Sequence, residues 1–261
     1  MAQLAPSTNS TVSVRMKHIG IVAHSAEGSS LCYLEICHRG SSELGEHMHP
    51  EVTMSVIPMG ASLADWELES LQPIRARLLL SAKRLKAAGC DFFICPDNTA
   101  HLALESAGRE LPLPGLHIAD VVVSEAVRKG YLKLGILGTT WTMSKSMYYE
   151  AARRRNIVAI SPNYEDSDYI HNTIFSELCN GVVKETTRQK YFDIIGRLKK
   201  DGCNAVVLGC TEIPLLISAE QSPLPILDST RLLAHYALKV ALGQKHVPIW
   251  RGGDFKNAVD Q

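Results

Sequence analysis

The strongest constraint on how this chain folds is that it repeats itself. MKHIGIVAHSAE (16–27) is echoed by YLKLGILGTTWT (131–142), and LKAAGCDFFICPDNT (85–99) by LKKDGCNAVVLGCTE (198–212). A third pair, LPGLHIA (113–119) and LPILDST (224–230), follows in the same order. Gly20 and Gly135 lie 115 residues apart, Gly89 and Gly202 113, and Pro114 and Pro225 111. Three pairs in one order at nearly one spacing predict two similar lobes of about 110 to 115 residues each, an ordinary domain size.

Within each lobe, short apolar runs alternate with helix-length segments. KHIGIVAHS (17–25), EVTMSVIPM (51–59), CDFFICP (90–96) and LPGLHI (113–118) are bounded by Gly, Pro or polar residues and read as buried strands. Between the second and third, LESLQPIRARLLLSAKRLKAAG (68–89) has apolar residues at helical spacing and ends on glycine. Alternating strands and helices predict an α/β fold of two pseudo-symmetric lobes, each a mainly parallel sheet flanked by helices, with the active site in the cleft between them. The expected division is a flexible leader over 1–15, an N-terminal lobe over 16–125 onto which a C-terminal segment is allowed to cross, a C-terminal lobe over 126–242, and a tail over 243–261.

Charge and cysteine usage narrow the partners. Lys plus Arg and Asp plus Glu number 27 each, so no net field draws nucleic acid or an anionic membrane surface, and a small molecule is expected instead. No apolar run reaches the roughly 18 residues of a membrane span, and the Ser/Thr-rich start lacks a signal-peptide core. Seven cysteines, an odd number with no CxxC pair, fit a reducing cytoplasm and exclude a cysteine-based metal ladder. There is no GxGxxG fingerprint or Walker loop, and no metal, nicotinamide or flavin site is expected.

The repeat pairs two reactive residues. Asp97 in ICPDNTAH and Cys210 in LGCTE lie 113 residues apart, each where a strand ends and the next loop opens. Ligands of open α/β sheets bind at the carboxyl ends of strands. Lobes facing across a pseudo-twofold axis would bring the two residues to one cleft from opposite sides. Inverting a carbon centre needs that arrangement: one group removes a proton from one face and the other delivers a proton to the opposite face.

These segments are recognisable. GCDFFICPDNTAH and GCNAVVLGCTEIPLL resemble the two active-site segments of the aspartate/glutamate racemase family, and the likeness runs from about Lys17 to Leu242. It takes in IGIVAH, LGILGTTWTM, YEDSDYIHNTIFSEL and LPILDSTRLLAHYAL. The resemblance implies a homodimeric, cofactor-independent racemase, needing no pyridoxal phosphate, with a cysteine in each lobe. The chain departs from that pattern at one position, where Asp97 stands in place of the first cysteine. Cys95 is a poor substitute, since two residues along a strand set it about 7 Å further back.

Asp97 and Cys210 are therefore the catalytic candidates. An ordinary carboxylic acid titrates near ~3.9 and a thiol near ~8.5, so Asp97 must be raised by burial or by its neighbours to serve as a base near neutral pH. The alternatives are that it caps the helix opening after it or binds a substrate ammonium group. Asn98, Thr99 and Thr211 are candidate substrate contacts, able to hold a carboxylate and a developing enolate. The loops HSAEGSS and GTTWTMS add His24, Ser25, Thr139 and Thr140, while His101 and Glu212 are expected to support the site from behind it.

Substrate and reaction are less constrained. Acidic-amino-acid racemases imply cationic side chains for the distal carboxylate, yet residues 41–74 contain no Lys or Arg, only His47 and His49. A lysine implied near SELCNG is replaced by Cys179 and Asn180, with Lys184 nearby. An unpaired buried carboxylate is costly, so the missing cations argue against tight Asp or Glu recognition; the expected substrate is an amino acid or carboxylic acid, with Trp66, Trp141 and Met143 favouring a broader or more apolar one. Three functions fit: an amino-acid racemase, a cysteine-dependent decarboxylase or isomerase of the same superfamily, or a small-ligand-binding protein with reduced catalysis.

Overall fold

The computed structural model describes residues 15–106 and 111–246. The leader, apart from Arg15, and the tail beyond residue 246 lie outside the described residues.

Two four-stranded parallel sheets share one strand order. The first runs β2-β1-β3-β4, formed by β1 (Ile19–Ala23), β2 (Val52–Val56), β3 (Phe92–Ile94) and β4 (Gly115–Leu116). The second runs β6-β5-β7-β8, formed by β5 (Lys133–Gly138), β6 (Val158–Ile160), β7 (Ala205–Gly209) and β8 (Ile226–Asp228). The sequence repeat is thus a repeat of topology, with β1, β2, β3 and β4 answering to β5, β6, β7 and β8. The fourth strand is shorter than the apolar run over 113–118. Pro112 and Pro114 have no N–H to give a ladder, the Pro114 carbonyl accepts from Phe93 N–H at 2.9 Å, and His117 turns away to cap the next helix.

Eleven helices are described: α1 (Ala26–Leu44), α2 (Leu63–Glu67), α3 (Leu71–Ala87), α4 (Ala100–Glu105), α5 (Ile118–Lys129), α6 (Thr140–Ser144), α7 (Ser146–Arg153), α8 (Tyr164–Ser176), α9 (Glu185–Lys200), α10 (Ile213–Leu216) and α11 (Ser229–Ala241). None is long and apolar enough to cross a membrane. Their ends follow local chemistry. Ser25 accepts from Gly28 N–H at the start of α1, and Asp228 accepts from Arg231 N–H at the start of α11. The repeated glycines Gly89 and Gly202 stop α3 and α9 with φ of 84° and 87°, a left-handed turn that an L side chain resists.

Alternation along the strands divides the core in three. Ile19, Ile21, Phe92 and Ile94 of the first sheet and Ala205 and Val207 of the second face a shared core between the lobes. Phe93 and Val22 turn outward onto Ile74, Leu78 and Leu85 of α3, spaced at helical intervals. Val206 and Leu208 turn outward onto Ile170 of α8 and Ile194 of α9. Helices α1, α5 and α11 pack together, so α11, last in the described chain, lies against the first lobe's own helix. A backbone bond from Lys17 N–H to the Ala241 carbonyl at 2.9 Å ties the two ends together. The shared core fixes the angle between the lobes, and hence the cleft at their strand ends.

Candidate active site

Strand register explains which side chains meet. In the first sheet Ile21 of β1 pairs with Ile94 of β3, so three residues further on His24 comes level with Asp97. The two are bonded, His24 Nδ1 to Asp97 Oδ2 at 2.6 Å. In the second sheet Gly138 of β5 pairs with Gly209 of β7, which sets Thr139 level with Cys210. A Cβ on Gly138 would meet the Gly209 carbonyl oxygen at 2.8 Å, and one on Gly209 the Leu137 carbonyl at 2.9 Å, so this approach needs glycine at both places. Cys210 finds its partner along its own chain, its thiol donating to Glu212 Oε2 at 2.9 Å.

The lobes touch through hydroxyl groups in a twofold manner. Ser25, after β1, lies 3.5 Å from Thr211, after β7. Thr99, after β3, lies 3.0 Å from Thr139, after β5, and 3.1 Å from Thr142. The α1 N-terminus comes so close to the second lobe that a Cβ on Gly28 would meet Thr211 at 2.5 Å.

A cavity opens between these strand ends. About 560 Å³ of empty space lies in it and in its open mouth together. Asp97, His24, Cys210 and Glu212 line it, joined by the hydroxyl residues Ser25, Thr99, Thr139 and Thr211. Apart from Asn98 its other walls are mainly apolar, with Trp66, Trp141 and Phe175 the largest, and none of its lining residues is Lys or Arg.

The acid/base groups are held in opposite states. Burial alone would push the Asp97 carboxyl up, but the His24 hydrogen bond and charge, the Ala100 N–H and the His101 charge together outweigh it and keep the carboxyl below its usual range. Asp97 is therefore a carboxylate, contrary to the sequence-based requirement of a raised value; the imidazole beside it supplies the reason. Burial, followed by the charge and hydrogen bond of Glu212, holds the Cys210 thiol well above its ordinary value. Cys210 rests as a thiol.

Asp97 also caps. Its Oδ1 accepts from Ala100 N–H at 3.1 Å while Oδ2 serves His24, so the capping contact and the dyad coexist. Asn98 also lines the cavity and belongs to a buried chain: Tyr148 donates to Asn98 at 2.6 Å, Asn98 to Ser229 at 2.9 Å, and Ser229 to the Leu208 carbonyl at 2.8 Å. Removing one donor from such a chain leaves a buried acceptor unpaired. Tyr148→Phe is expected to destabilise the fold by about 1–3 kcal/mol, read as a lower denaturant midpoint at unchanged slope.

The remaining sequence candidates divide. His101 is structural: its Nδ1 is 2.8 Å from the Asp97 carbonyl and its Nε2 accepts from Ile118 N–H at 3.2 Å. Thr140 is absent from the cavity lining, its N–H and hydroxyl both directed to His171 Nδ1. Cys95 is fully buried in the core behind β3 and does not line the cavity. Lys184 is bound to Glu177 at 2.9 Å, while His47 lies beside Glu46 and His49 against the Pro50 carbonyl. None of these three cationic candidates lines the cavity, nor does buried Met143. Cys179 does line it. Sequence reading missed the pairing of His24 with Asp97; the signal was the parallel register of β1 and β3, fixed only by folding.

Two parallel sheets of one order, with acid/base side chains at the strand ends of both lobes around one cleft, define a pseudo-symmetric α/β protein of the racemase type. The chain belongs to the Asp/Glu/hydantoin racemase family, whose model matches residues 19–237. A candidate Asp/Glu racemase of Yersinia pestis is 28% identical with a TM-score of 0.77, over 87% of this chain and 100% of that one. An aspartate racemase homologue of Pyrococcus horikoshii OT3 is 26% identical with a TM-score of 0.73, over 87% and 99%. Among curated relatives, glutamate racemase of Aquifex aeolicus is 30% identical over 158 residues, 59% of each chain, so the match spans less than two thirds of that enzyme. A broad specificity amino-acid racemase of Bacillus subtilis is 22% identical over 62% of this chain and 69% of its own.

Proposed function

We propose that this protein is an amino-acid racemase that inverts an α-carbon by proton transfer between the Asp97 side of the cleft and Cys210. The observation that carries this reading is the cavity lined by two acid/base pairs, Asp97 with His24 from one lobe and Cys210 with Glu212 from the other. Family membership supports the same class of reaction.

The resting states suit a transfer in one direction first. The first lobe offers a base and the second a thiol acid, so the enantiomer whose α-proton faces the first lobe reacts with the resting enzyme. Its carbanion, spread onto the substrate carboxylate, accepts the Cys210 proton on the opposite face and leaves a thiolate. The opposite enantiomer is then the substrate of the thiolate form. Hydroxyl groups of Ser25, Thr99, Thr139 and Thr211 line the cavity and would hold the carboxylate as its charge develops, the electrostatic assistance such reactions need.

The apolar walls and the lack of Lys or Arg among the lining residues support a substrate with an uncharged side chain. The named breadth of the Bacillus subtilis relative agrees with a site that does not demand a second carboxylate. Single enantiomers of a panel of amino acids, incubated with the protein in D₂O and followed by NMR and chiral chromatography, test the proposal. Deuterium entry at the α-carbon with inversion is expected; CO₂ release without inversion would replace racemisation by decarboxylation.

A further inference from the structure

We infer that His24, rather than Asp97, takes and returns the α-proton on the first-lobe face, with Asp97 acting as its positioning residue. The inference rests on the racemase reading above and changes the identity of one of its two proton carriers.

Asp97 has little freedom to act directly. Oδ2 is held by His24 Nδ1 at 2.6 Å and Oδ1 by Ala100 N–H at 3.1 Å, so the carboxylate is already engaged on both oxygens. A carboxylate only accepts, so His24 Nδ1 carries a proton, and in the neutral form of the ring, the one able to act as a base, the lone pair lies on Nε2. That Nε2 has no hydrogen-bond partner among the described residues, although the His24 side chain is only 2% exposed. A buried polar atom without a partner calls for an explanation, and His24 lines the cavity.

Position and asymmetry agree. His24 adjoins Ser25, whose hydroxyl lies 3.5 Å from Thr211, the residue after Cys210. The imidazole and the thiol thus reach one cavity from opposite lobes. At the corresponding register position of the second lobe stands Thr139, so an imidazole occurs beside the carboxylate and not beside the thiol. With both carboxylate oxygens of Asp97 engaged, the imidazole beside it offers that face a nitrogen that no other described group occupies. In the step, the His24 Nε2 lone pair bonds the α-proton as the C–H bond breaks, and the electron pair stays on the substrate. The imidazolium is paired with Asp97, and the Cys210 S–H proton goes to the opposite face, leaving a thiolate. One proton leaves the substrate and one enters it.

Deuterium wash-in from each single enantiomer, measured separately, tests the assignment because each enantiomer reports one face. His24→Asn is expected to slow wash-in from one enantiomer by about 10²–10⁴-fold, the usual worth of a general acid/base, while the other enantiomer, deprotonated by Cys210, exchanges within a few-fold of wild type. Asp97→Asn is expected to slow that same face less, since an amide can still accept from Nδ1–H. The inference is overturned if Asp97→Asn silences that face while His24→Asn leaves it active, or if His24→Asn slows both faces equally. Where both variants silence it, imidazole added to His24→Gly decides: restored exchange on that face upholds the assignment and none overturns it. Wild-type protein that exchanges neither enantiomer of any amino acid would instead remove the racemase reading itself.

Discussion

Cys210→Ser is expected to fold as the wild type does and to lose racemisation by about 10³-fold or more, near the upper part of the range general acid/base groups contribute. The serine hydroxyl can still donate to Glu212, which keeps that buried carboxylate satisfied, but it is a far weaker acid and, once deprotonated, a costlier base than a thiol. Cys210→Ala removes the donor as well, and is expected to add a stability loss of about 1–3 kcal/mol from the unpaired Glu212 oxygen. Thermal unfolding beside chiral analysis of the product separates the two effects. Glu212→Gln tests the electrostatics. The Glu212 charge and its hydrogen bond help burial to raise the thiol, so removing the charge must lower its titration point. Thiolate absorbance is expected to appear at lower pH in this variant, and the direction of reaction that uses Cys210 as the acid to fade at lower pH on its alkaline side. An unchanged thiolate titration would show that burial alone sets the thiol.

How much of this was legible beforehand depends on the distance over which the determining forces act. The two lobes were readable because each strand and helix carries its own local signal, and because Gly89 and Gly202 mark the same left-handed stop in both copies. Asp97 and Cys210 were readable for the same reason, as repeated positions at strand ends. The state of Asp97 was not. It depends on His24, 73 residues away, and on a register that only the folded sheet defines. Thr140 illustrates the converse: the mirrored loop suggested a substrate contact, but the first turn of α6 directs it to His171. Lys184 was likewise near in sequence to the place where a cation was implied, yet its ammonium is drawn to Glu177.

The walls of the cavity lead to the other large effect. Aspartate and glutamate are expected to be turned over with kcat/KM at least about 10²-fold below asparagine and glutamine, which match them in size and differ in charge. A factor of 10² corresponds to about 2.7 kcal/mol, a modest share of what it costs to leave a carboxylate without a partner away from water. Trp66 and Trp141, with ring centroids 5.8 Å apart, and Phe175 near Trp141 offer apolar surface and no counter-charge. His171, packed edge-on to Trp141, is kept neutral more readily than a free imidazole, because burial lowers it more than Asp168 raises it. The nearby carboxyl groups Asp97 and Glu212 would repel a second substrate carboxylate rather than bind it. Initial rates of α-deuterium wash-in from L- and D-forms of the four amino acids give the comparison directly. Equal rates for glutamate and glutamine would mean that a cationic group reaches the bound side chain, and the substrate class would then have to include the acidic amino acids.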